Sequence, residues 1–389
     1  ELAMAEAAGG LLLAARAANA ASGTGAAPGE PASLKPVDSR GMPMEDWNII
    51  VNSAGGQAVK VKQELVLHHD SVVCCVRFSN DGRYFATGCN KTAALYDVVS
   101  GQRVCMFVND QVVEGNAAEA AAAAGGGDSY VRSVCFSPDS RLLVAGTEDK
   151  TIKVWDLTTR RLRHSLTGHG KNIYSVDCTL DCRLIASGSG DRTAKLWDVR
   201  TGACVRTFGD DENGPIDGVT SVAVSPDGRY IAAGSLDKVV RLWDTETGAL
   251  ADMFNGHADS VYSVSFSPDG SLLATGSLDR TVRLWDITQV GKRTGEAAPR
   301  FTFKGHKDFV LSVAFAPQGN WLLSGSKDRS VQFWDTRMLL DRTKTEDGPS
   351  VILQGHHNSV ISLAHSPMAN LFASGSGDKC ARIWRYTTE

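Results

Sequence analysis

Four residue types that could carry out hydrolysis recur together along the chain: histidine, serine, aspartate and tryptophan. A serine, a histidine and an aspartate in one unit are the components of a serine-hydrolase triad. The set occurs at the same offsets in four places, whereas an active site is normally built once. The four sets are His169, Ser189, Asp191 and Trp197; His257, Ser277, Asp279 and Trp285; His306, Ser326, Asp328 and Trp334; His356, Ser376, Asp378 and Trp384. We therefore interpret each set as a structural network, in which an indole N–H, a hydroxyl, an imidazole and a carboxylate satisfy one another inside one folded unit.

The unit that positions one such set is the stretch 256–286. Its alternating apolar residues predict three β-strands, at 261–266, 272–275 and 282–285, with turn-forming residues between them. Three such strands form an antiparallel meander. A fourth strand, belonging to the preceding unit, would end at Gly256.

The same pattern occurs seven times. The Trp-Asp ending of the unit stands at residues 155–156, 197–198, 243–244, 285–286 and 334–335, with Tyr96-Asp97 and Trp384-Arg385 as variants. A period in the low forties with Gly-His and Trp-Asp marks is typical of WD repeats. The sequence therefore predicts an all-β, seven-bladed β-propeller.

Three blades depart from the pattern. Blade one has His69 but carries Asn90 and Tyr96 in place of the aspartate and the tryptophan. Blade two has Gly127 at the histidine position, and blade four has Pro215. We expect these blades to be stabilised by their neighbours and by closure of the ring.

The boundaries follow from composition and from the last repeat. Residues 1–45 are rich in Ala, Gly, Ser and Pro and predict a disordered arm, and the propeller domain is expected to occupy 46–389. The last repeat has no room for a fourth strand, so residues 64–67 are expected to supply it and to close the ring. An Ala- and Gly-rich insertion at 109–127 is expected to be a disordered loop between blades one and two. Because the sequence begins with Glu1 rather than Met, it is expected to be a fragment.

Composition and motifs exclude several functions. The net charge is −4 with both signs interspersed, which argues against direct nucleic-acid binding. The nine cysteines form no C-x-x-C pair, which favours a reducing compartment and no metal site. No apolar run is long enough to span a membrane, and no catalytic or cofactor-binding motif occurs. We expect neither an enzyme, a cofactor nor a small-molecule substrate, so binding of other proteins is the remaining function.

The binding surface can be placed from the repeat register. The residue five past each histidine position should begin the innermost strand, at the mouth of the central channel. The seven residues are Cys74, Arg132, Tyr174, Thr220, Tyr262, Leu311 and Ile361. Aromatic and arginine anchors on a concave apolar surface suit a peptide-binding patch. The alternative is that these side chains only fill the channel.

Several stretches go beyond a general WD-repeat pattern, namely residues 71–82, 86–92, 130–139, 218–226, 305–313 and 381–386. These stretches resemble one family within the WD-repeat proteins, the fungal Tup family of general transcriptional co-repressors. The resemblance covers about residues 46–389, and the insertion between blades one and two lies where that family has one. It implies a nuclear, non-catalytic propeller whose channel mouth, here including Cys74, Tyr174 and Tyr262, docks DNA-binding repressor proteins. It also implies a TPR-repeat co-repressor of the Cyc-Ssn type as partner, through a helical segment that residues 1–45 do not resemble.

Other functions of WD repeats remain alternatives. A substrate receptor or scaffold subunit of a ubiquitin ligase would usually carry an adaptor-binding box, which residues 1–45 lack. An enzyme would need a non-repeating polar cluster at the channel. A G-protein β-type scaffold would need N-terminal heptads, which are absent.

Overall fold

Seven sheets surround a central channel in the computed structural model, which describes residues 47–51, 59–108, 110–114, 129–292, 297–337 and 346–388. The innermost strands of blades one to seven are Cys75–Phe78, Val131–Phe136, Ile173–Cys178, Val219–Val224, Val261–Phe266, Val310–Phe315 and Val360–His365. The second strands are Tyr84–Gly88, Leu142–Thr147, Leu184–Ser189, Tyr230–Ser235, Leu272–Ser277, Trp321–Ser326 and Leu371–Ser376. The third strands are Thr92–Asp97, Ile152–Asp156, Ala194–Asp198, Val240–Asp244, Thr281–Asp286, Ser330–Asp335 and Cys380–Thr388. The outer strands are Arg103–Val108, Arg161–Leu166, Cys204–Phe208, Leu250–Phe254, Phe301–Lys304, Val351–Gln354 and Val59–His68. The predicted seven-bladed, all-β propeller is confirmed.

The ring closes with an N-terminal strand, as the sequence predicted. Val59–His68 pairs antiparallel with Cys380–Thr388, so blade seven contains strands from both ends of the propeller. Side chains add to the seam, because Arg385 Nε lies 2.8 Å from Glu64 Oε1. Closure leaves blade seven packed against blade one, which removes the unpaired sheet faces of an open ring.

Three blades carry a fifth strand that the sequence did not predict. Asn48–Val51 pairs with the outer strand of blade six, and Gln111–Val113 with that of blade one. Glu346–Asp347 adds in parallel to blade five. A short 3-10 helix, Ile287–Gln289, completes the described elements, and no helix in the described ranges is long or apolar enough to cross a membrane. The predicted disordered arm at 1–45 lies outside the described residues. The predicted disordered insertion at 109–127 also lies outside them apart from 110–114, where the strand Gln111–Val113 corrects the prediction of disorder.

Close approach between blades requires glycine in the second strand. A Cβ built on Gly276 would lie 2.8 Å from Val310 Cγ1 of the next blade, and one on Gly188 would lie 2.6 Å from Val219 Cγ1. Such contacts are far inside normal van der Waals separation. The glycine therefore sets how tightly neighbouring sheets pack around the channel.

A serine in the innermost strand links each of blades two to seven to the next blade. Ser263 Oγ accepts a hydrogen bond from Val313 N at 3.0 Å, and Ser221 Oγ accepts one from Val264 N at 3.1 Å. The same bond is made by Ser133, Ser175, Ser312 and Ser362. Blade one has Cys75 at this position. The recurring Ser-Val dipeptide was the sequence signal for this ring of bonds.

Candidate functional site

The seven residues predicted to form the channel mouth lie together. Each follows or precedes the first residue of an innermost strand, and the innermost strands all start at the same end of the channel. Cys74, Arg132, Tyr174, Thr220, Tyr262, Leu311 and Ile361 line one central cavity of about 490 Å³. Cys74, Thr220 and Leu311 are buried, and the other four are half-buried. Ring symmetry thus brings together residues from all seven blades at one end of the channel.

Arg132 is already paired within the protein. Its Nε donates to Glu148 Oε1 at 2.8 Å and its Nη2 contacts the same oxygen, while Glu148 Oε2 accepts from Tyr130 N at 3.1 Å. The sequence analysis treated Arg132 as an open anchor and missed Glu148. The signal was present in the register, because Glu148 stands in the turn that follows the second strand of the same blade. The pairing leaves the mouth with little free charge at this point.

The two tyrosines supply neutral, amphipathic groups to the mouth. Burial raises the pKa of Tyr262 to about 12 and also raises the pKa of Tyr174, so both hydroxyls remain protonated at neutral pH. The Tyr174 ring covers Gly190, whose built Cβ would lie 3.1 Å from Tyr174 Cε2. Thr220 is satisfied internally, since its hydroxyl donates to Val261 O at 2.6 Å.

An apolar patch lies beside the tyrosines. Cys74 packs with Val72 and Tyr130, and Ile361 packs against this cluster. Burial raises the pKa of the Cys74 thiol to about 11, so the side chain behaves as a small neutral group. Val72 and Tyr130 were not predicted as site residues. Tyr130 immediately precedes the innermost strand of blade two, and Val72 lies in the segment just before that of blade one, which was the available signal.

The channel wall beyond the mouth carries two further charged residues. Asp177 accepts a hydrogen bond from Val224 N at 3.0 Å. Burial raises the pKa of its carboxyl, and the positive charge of Arg77 opposes that rise. The sequence analysis considered only the mouth positions and did not include this pair.

The four predicted networks form, but through a different hydroxyl. In blade five, Trp285 Nε1 donates to Thr275 Oγ1 at 2.9 Å, Thr275 Oγ1 lies 2.7 Å from His257 Nε2, and His257 Nδ1 lies 2.8 Å from Asp279 Oδ2. The hydroxyls in this position are Ser187, Thr275, Ser324 and Ser374. Because the ionised carboxylate can only accept, the Nδ1–H donates to it and the Nε2 accepts from the hydroxyl.

The predicted serines Ser189, Ser277, Ser326 and Ser376 are therefore corrected to positions two residues earlier. Trp285 stands opposite Leu273 in the sheet, so its indole reaches the diagonal neighbour Thr275 and not Ser277. Ser277 instead donates to Asp259 O at 2.9 Å, and the other three predicted serines make the same backbone bond. Those serines fix the loop that carries the histidine.

Burial and hydrogen bonding shift the pKa values of the carboxyl and imidazole groups in the blade-five network. Burial alone would raise the pKa of the Asp279 carboxyl, but hydrogen bonds from His257 and Thr281 hold it well below its usual range. Burial also lowers the pKa of His257. The carboxylate is thus charged and the imidazole neutral at pH 7. With the same arrangement repeated in blades three, six and seven, the set is structural.

Blades one and four, which lack the full network, use other polar contacts at the same positions. In blade one, Tyr96 OH lies 3.2 Å from His69 Nε2, which also contacts Thr87 Oγ1 at 2.9 Å. In blade four, where Pro215 replaces histidine, Arg241 Nη1 pairs with Asp237 Oδ2 at 2.8 Å. Blade two has neither the tyrosine–histidine contact nor the arginine–aspartate pair among its described residues, and its Gly127 lies outside them. Within the described part of the chain no group of three or more His, Cys, Asp or Glu side chains is placed to hold a metal ion.

Comparison with known proteins supports this architecture. The family "WD domain, G-beta repeat" matches seven segments, at residues 60–97, 124–156, 160–198, 202–244, 248–286, 297–335 and 348–385. The chain is 52% identical over 179 residues to the general transcriptional corepressor tupA of Dictyostelium discoideum, a match covering 46% of this chain and 29% of that protein. It is 46% identical over 181 residues to the transcriptional repressor rco-1 of Neurospora crassa, covering 46% and 27%. It is 42% identical over 194 residues to the general transcriptional corepressor TUP1 of Saccharomyces cerevisiae, covering 38% and 27%.

These relatives confirm the resemblance to Tup-family corepressors. The chain spans less than a third of the length of each of the three relatives. The likeness therefore concerns the repeat region.

Proposed function

Because this chain belongs to the WD domain, G-beta repeat family, we propose that it is the non-catalytic protein-interaction propeller of a transcriptional corepressor. DNA-binding repressor proteins recruit it by inserting a peptide at the channel mouth, and it acts in the nucleus. The observation that carries the proposal is the convergence at that mouth of two neutral tyrosines and an apolar patch. The corepressor names of its relatives support the biological setting.

The chemistry of the mouth favours an apolar segment with few charges. Tyr174 and Tyr262 each present a ring for packing and a hydroxyl for one hydrogen bond, a combination common in interface anchors. Arg132 is paired with Glu148, so its side chain forms a fixed part of the channel wall and its charge is neutralised within the protein. A partner side chain that is aliphatic or aromatic would gain contact without leaving a buried charge unpaired.

Two partners follow from the proposal. DNA-binding repressors supply the docking peptide, and the protein itself makes no direct contact with nucleic acid. A TPR-repeat co-repressor of the Cyc-Ssn type binds through sequence other than residues 46–389. Neither a membrane nor a small-molecule substrate is involved.

The test is a binding comparison of wild type with Tyr174→Ala/Tyr262→Ala, and with Tyr174→Phe/Tyr262→Phe as the matched control. Each protein is used to capture partners from nuclear extract, and captured proteins are identified by mass spectrometry. We expect sequence-specific transcription factors with the wild type, a loss of about tenfold or more with the alanine pair, and retention with the phenylalanine pair. Thermal unfolding of all three proteins controls for folding.

Two results would count against the proposal. Unchanged capture by a folded alanine pair would place the working surface elsewhere on the molecule. Capture of ubiquitin-ligase subunits in place of transcription factors would favour the alternative function, a substrate receptor or scaffold subunit of a ubiquitin ligase or other multiprotein complex.

A further inference from the structure

A second cavity lies on the face opposite the channel mouth, in a cleft between blades two and three. The cleft is formed by the turns that follow the innermost strands and the turns that follow the third strands. Its volume is about 440 Å³, within the usual range for ligand sites. Four arginines line it, namely Arg141, Arg163, Arg183 and Arg200, and all four are exposed.

The guanidinium groups are largely unengaged. Arg141 Nε lies 3.9 Å from Asp139 Oδ2 at the edge of the cleft, and its side chain is 77% exposed. In the described part of the chain, Arg163, Arg183 and Arg200 have no carboxylate oxygen within ion-pair distance. Each guanidinium carries five N–H donors, so the cleft holds far more donors than acceptors.

The carboxylates of the cleft are occupied by their own turns. Asp156 Oδ1 accepts from Thr158 N at 2.9 Å and Thr159 N at 2.7 Å. Asp198 Oδ1 accepts from the Thr201 N–H at 2.7 Å and from its hydroxyl at 2.8 Å. These bonds define the turn geometry, so the two aspartates are fixed while the arginines are not.

The two turns that form the walls of the cleft carry side chains at a position where blades four and five have glycine. Gly228 and Gly270 adopt φ of 73° and 71° in those blades. Blade two has Ser140 at this position, at φ 57°, and blade three has Cys182, at φ 59°. Both residues adopt the left-handed conformation that glycine normally takes.

The corresponding cleft between blades four and five differs in charge. Its residues at the positions of Arg183 and Arg200 are Ser271 and Thr288. At the positions of the four arginines it keeps one, Arg229, which stacks on the Tyr230 ring at 4.9 Å and lies 3.6 Å from Asp244 Oδ2. A second arginine, Arg300, lies 3.9 Å from Asp286 Oδ2. Three aspartates occupy the positions of Asp139, Asp156 and Asp198, so this cleft has two arginines against three aspartates, whereas the cleft between blades two and three has four against three. The surplus of arginine distinguishes the cleft between blades two and three from this one.

We propose that the cleft between blades two and three binds a phosphorylated serine or threonine side chain of a partner polypeptide. A phosphate monoester carries nearly two negative charges and three acceptor oxygens, which match a surplus of guanidinium donors. Arginine forms bidentate pairs with phosphate and recurs in phosphopeptide sites. The fixed aspartates disfavour a long run of acidic residues and so select a single compact dianion. This site lies on the opposite face from the channel mouth and does not depend on the proposed function.

The test uses short fluorescent peptide pools with random flanks and one fixed central residue. The centres are phosphoserine and phosphothreonine, with matched pools centred on serine, threonine and glutamate. The proteins are wild type, Arg183→Ser/Arg200→Thr and, as a matched control, Arg229→Ser. The double variant carries the residues that blade five uses at these positions, so the turns remain compatible with the backbone. The two single variants serve if the double variant is unstable.

We expect the phosphorylated pools to bind wild type and Arg229→Ser alike, with an affinity that falls as salt rises. The double variant should lose about tenfold or more in affinity while keeping its thermal midpoint. The proposal is overturned if the phosphorylated pools bind no better than serine and threonine, or if the folded double variant binds as wild type does. Equal binding of the glutamate pool would also overturn the phosphate assignment.

Discussion

Blades five and two contain the same tryptophan in different polar surroundings. Trp285 and Trp155 are both buried, and each packs against a phenylalanine, at 5.3 Å from Phe254 and 5.1 Å from Phe107. Trp285 Nε1 donates to Thr275, whereas the corresponding neighbour of Trp155 is Ala145. Trp155 Nε1 has no hydrogen-bond partner among the described residues.

The difference between these two blades separates two contributions to the stability of a blade, apolar burial and the polar network. Because the tryptophan packs equally well with and without the network, apolar burial defines the blade and the network adds to its stability. The network also ties the histidine loop to the turn after the second strand, through Asp279 and the Ala258 N–H at 3.0 Å. Blades with the network should therefore be locally more stable than blade two.

The largest expected effect comes from removing a network carboxylate. Asp279→Ala strands the donors of His257, Ala258 and Thr281, so we expect the free energy of unfolding to fall by about 3 kcal/mol. Asp149 stands at the matching position of blade two, where it is exposed and bonds only within its own turn. Asp149→Ala should cost about 1 kcal/mol or less.

Both variants are measured by urea unfolding beside the wild type. An equal decrease in the free energy of unfolding for both variants would contradict the network interpretation, since the exposed turn of blade two would then contribute as much stability as the buried network of blade five. An unchanged midpoint for Asp279→Ala would contradict it more directly.

The comparison also shows which features could be read from the sequence. Strand order and the channel-mouth positions depend on a repeated register, and period-2 patterning reveals that register directly. The network hydroxyl depends on a diagonal contact across two strands. Ser187 and Ser189 face the same side of one strand, so spacing alone could not decide between them. The pairing of Arg132 with Glu148 joins the innermost strand of blade two to the turn after its second strand. It was missed because this proximity follows from the pairing of Val131 with Thr147 and not from the alternation of apolar residues.

A second prediction concerns a histidine that lacks a carboxylate. His365 ends the innermost strand of blade seven, a position held by phenylalanine in four blades: Phe78, Phe136, Phe266 and Phe315. Neither ring nitrogen of His365 has a partner in the described residues, and burial lowers its pKa to about 3. His365→Phe should keep the aromatic packing against Tyr386 and raise the free energy of unfolding by about 2 kcal/mol at pH 5.

The sign follows from proton linkage. The unfolded chain protonates this histidine as pH falls below about 6.5, while the folded protein resists protonation until about pH 3. Wild-type stability therefore decreases as the pH is lowered across that window. The variant lacks this histidine, so its stability should depend less steeply on pH. Thermal midpoints of both proteins from pH 7.5 to 4.5 measure it, and parallel curves would contradict the prediction.

The smallest effect comes from giving blade two a hydroxyl. Ala145→Ser places an oxygen diagonally from Trp155, where Thr275 stands relative to Trp285. The new hydroxyl would accept from the indole N–H and direct its own hydrogen toward Lys153 O, its cross-strand neighbour, so we expect a gain of about 1 kcal/mol. Ala145→Cys is the control, since a thiol of similar size is a much weaker acceptor and should gain little. A loss of stability in the serine variant alone would mean that burying the new hydroxyl costs more free energy than its hydrogen bond with the indole contributes. The unpaired tryptophan would then be the better solution for a blade without a histidine.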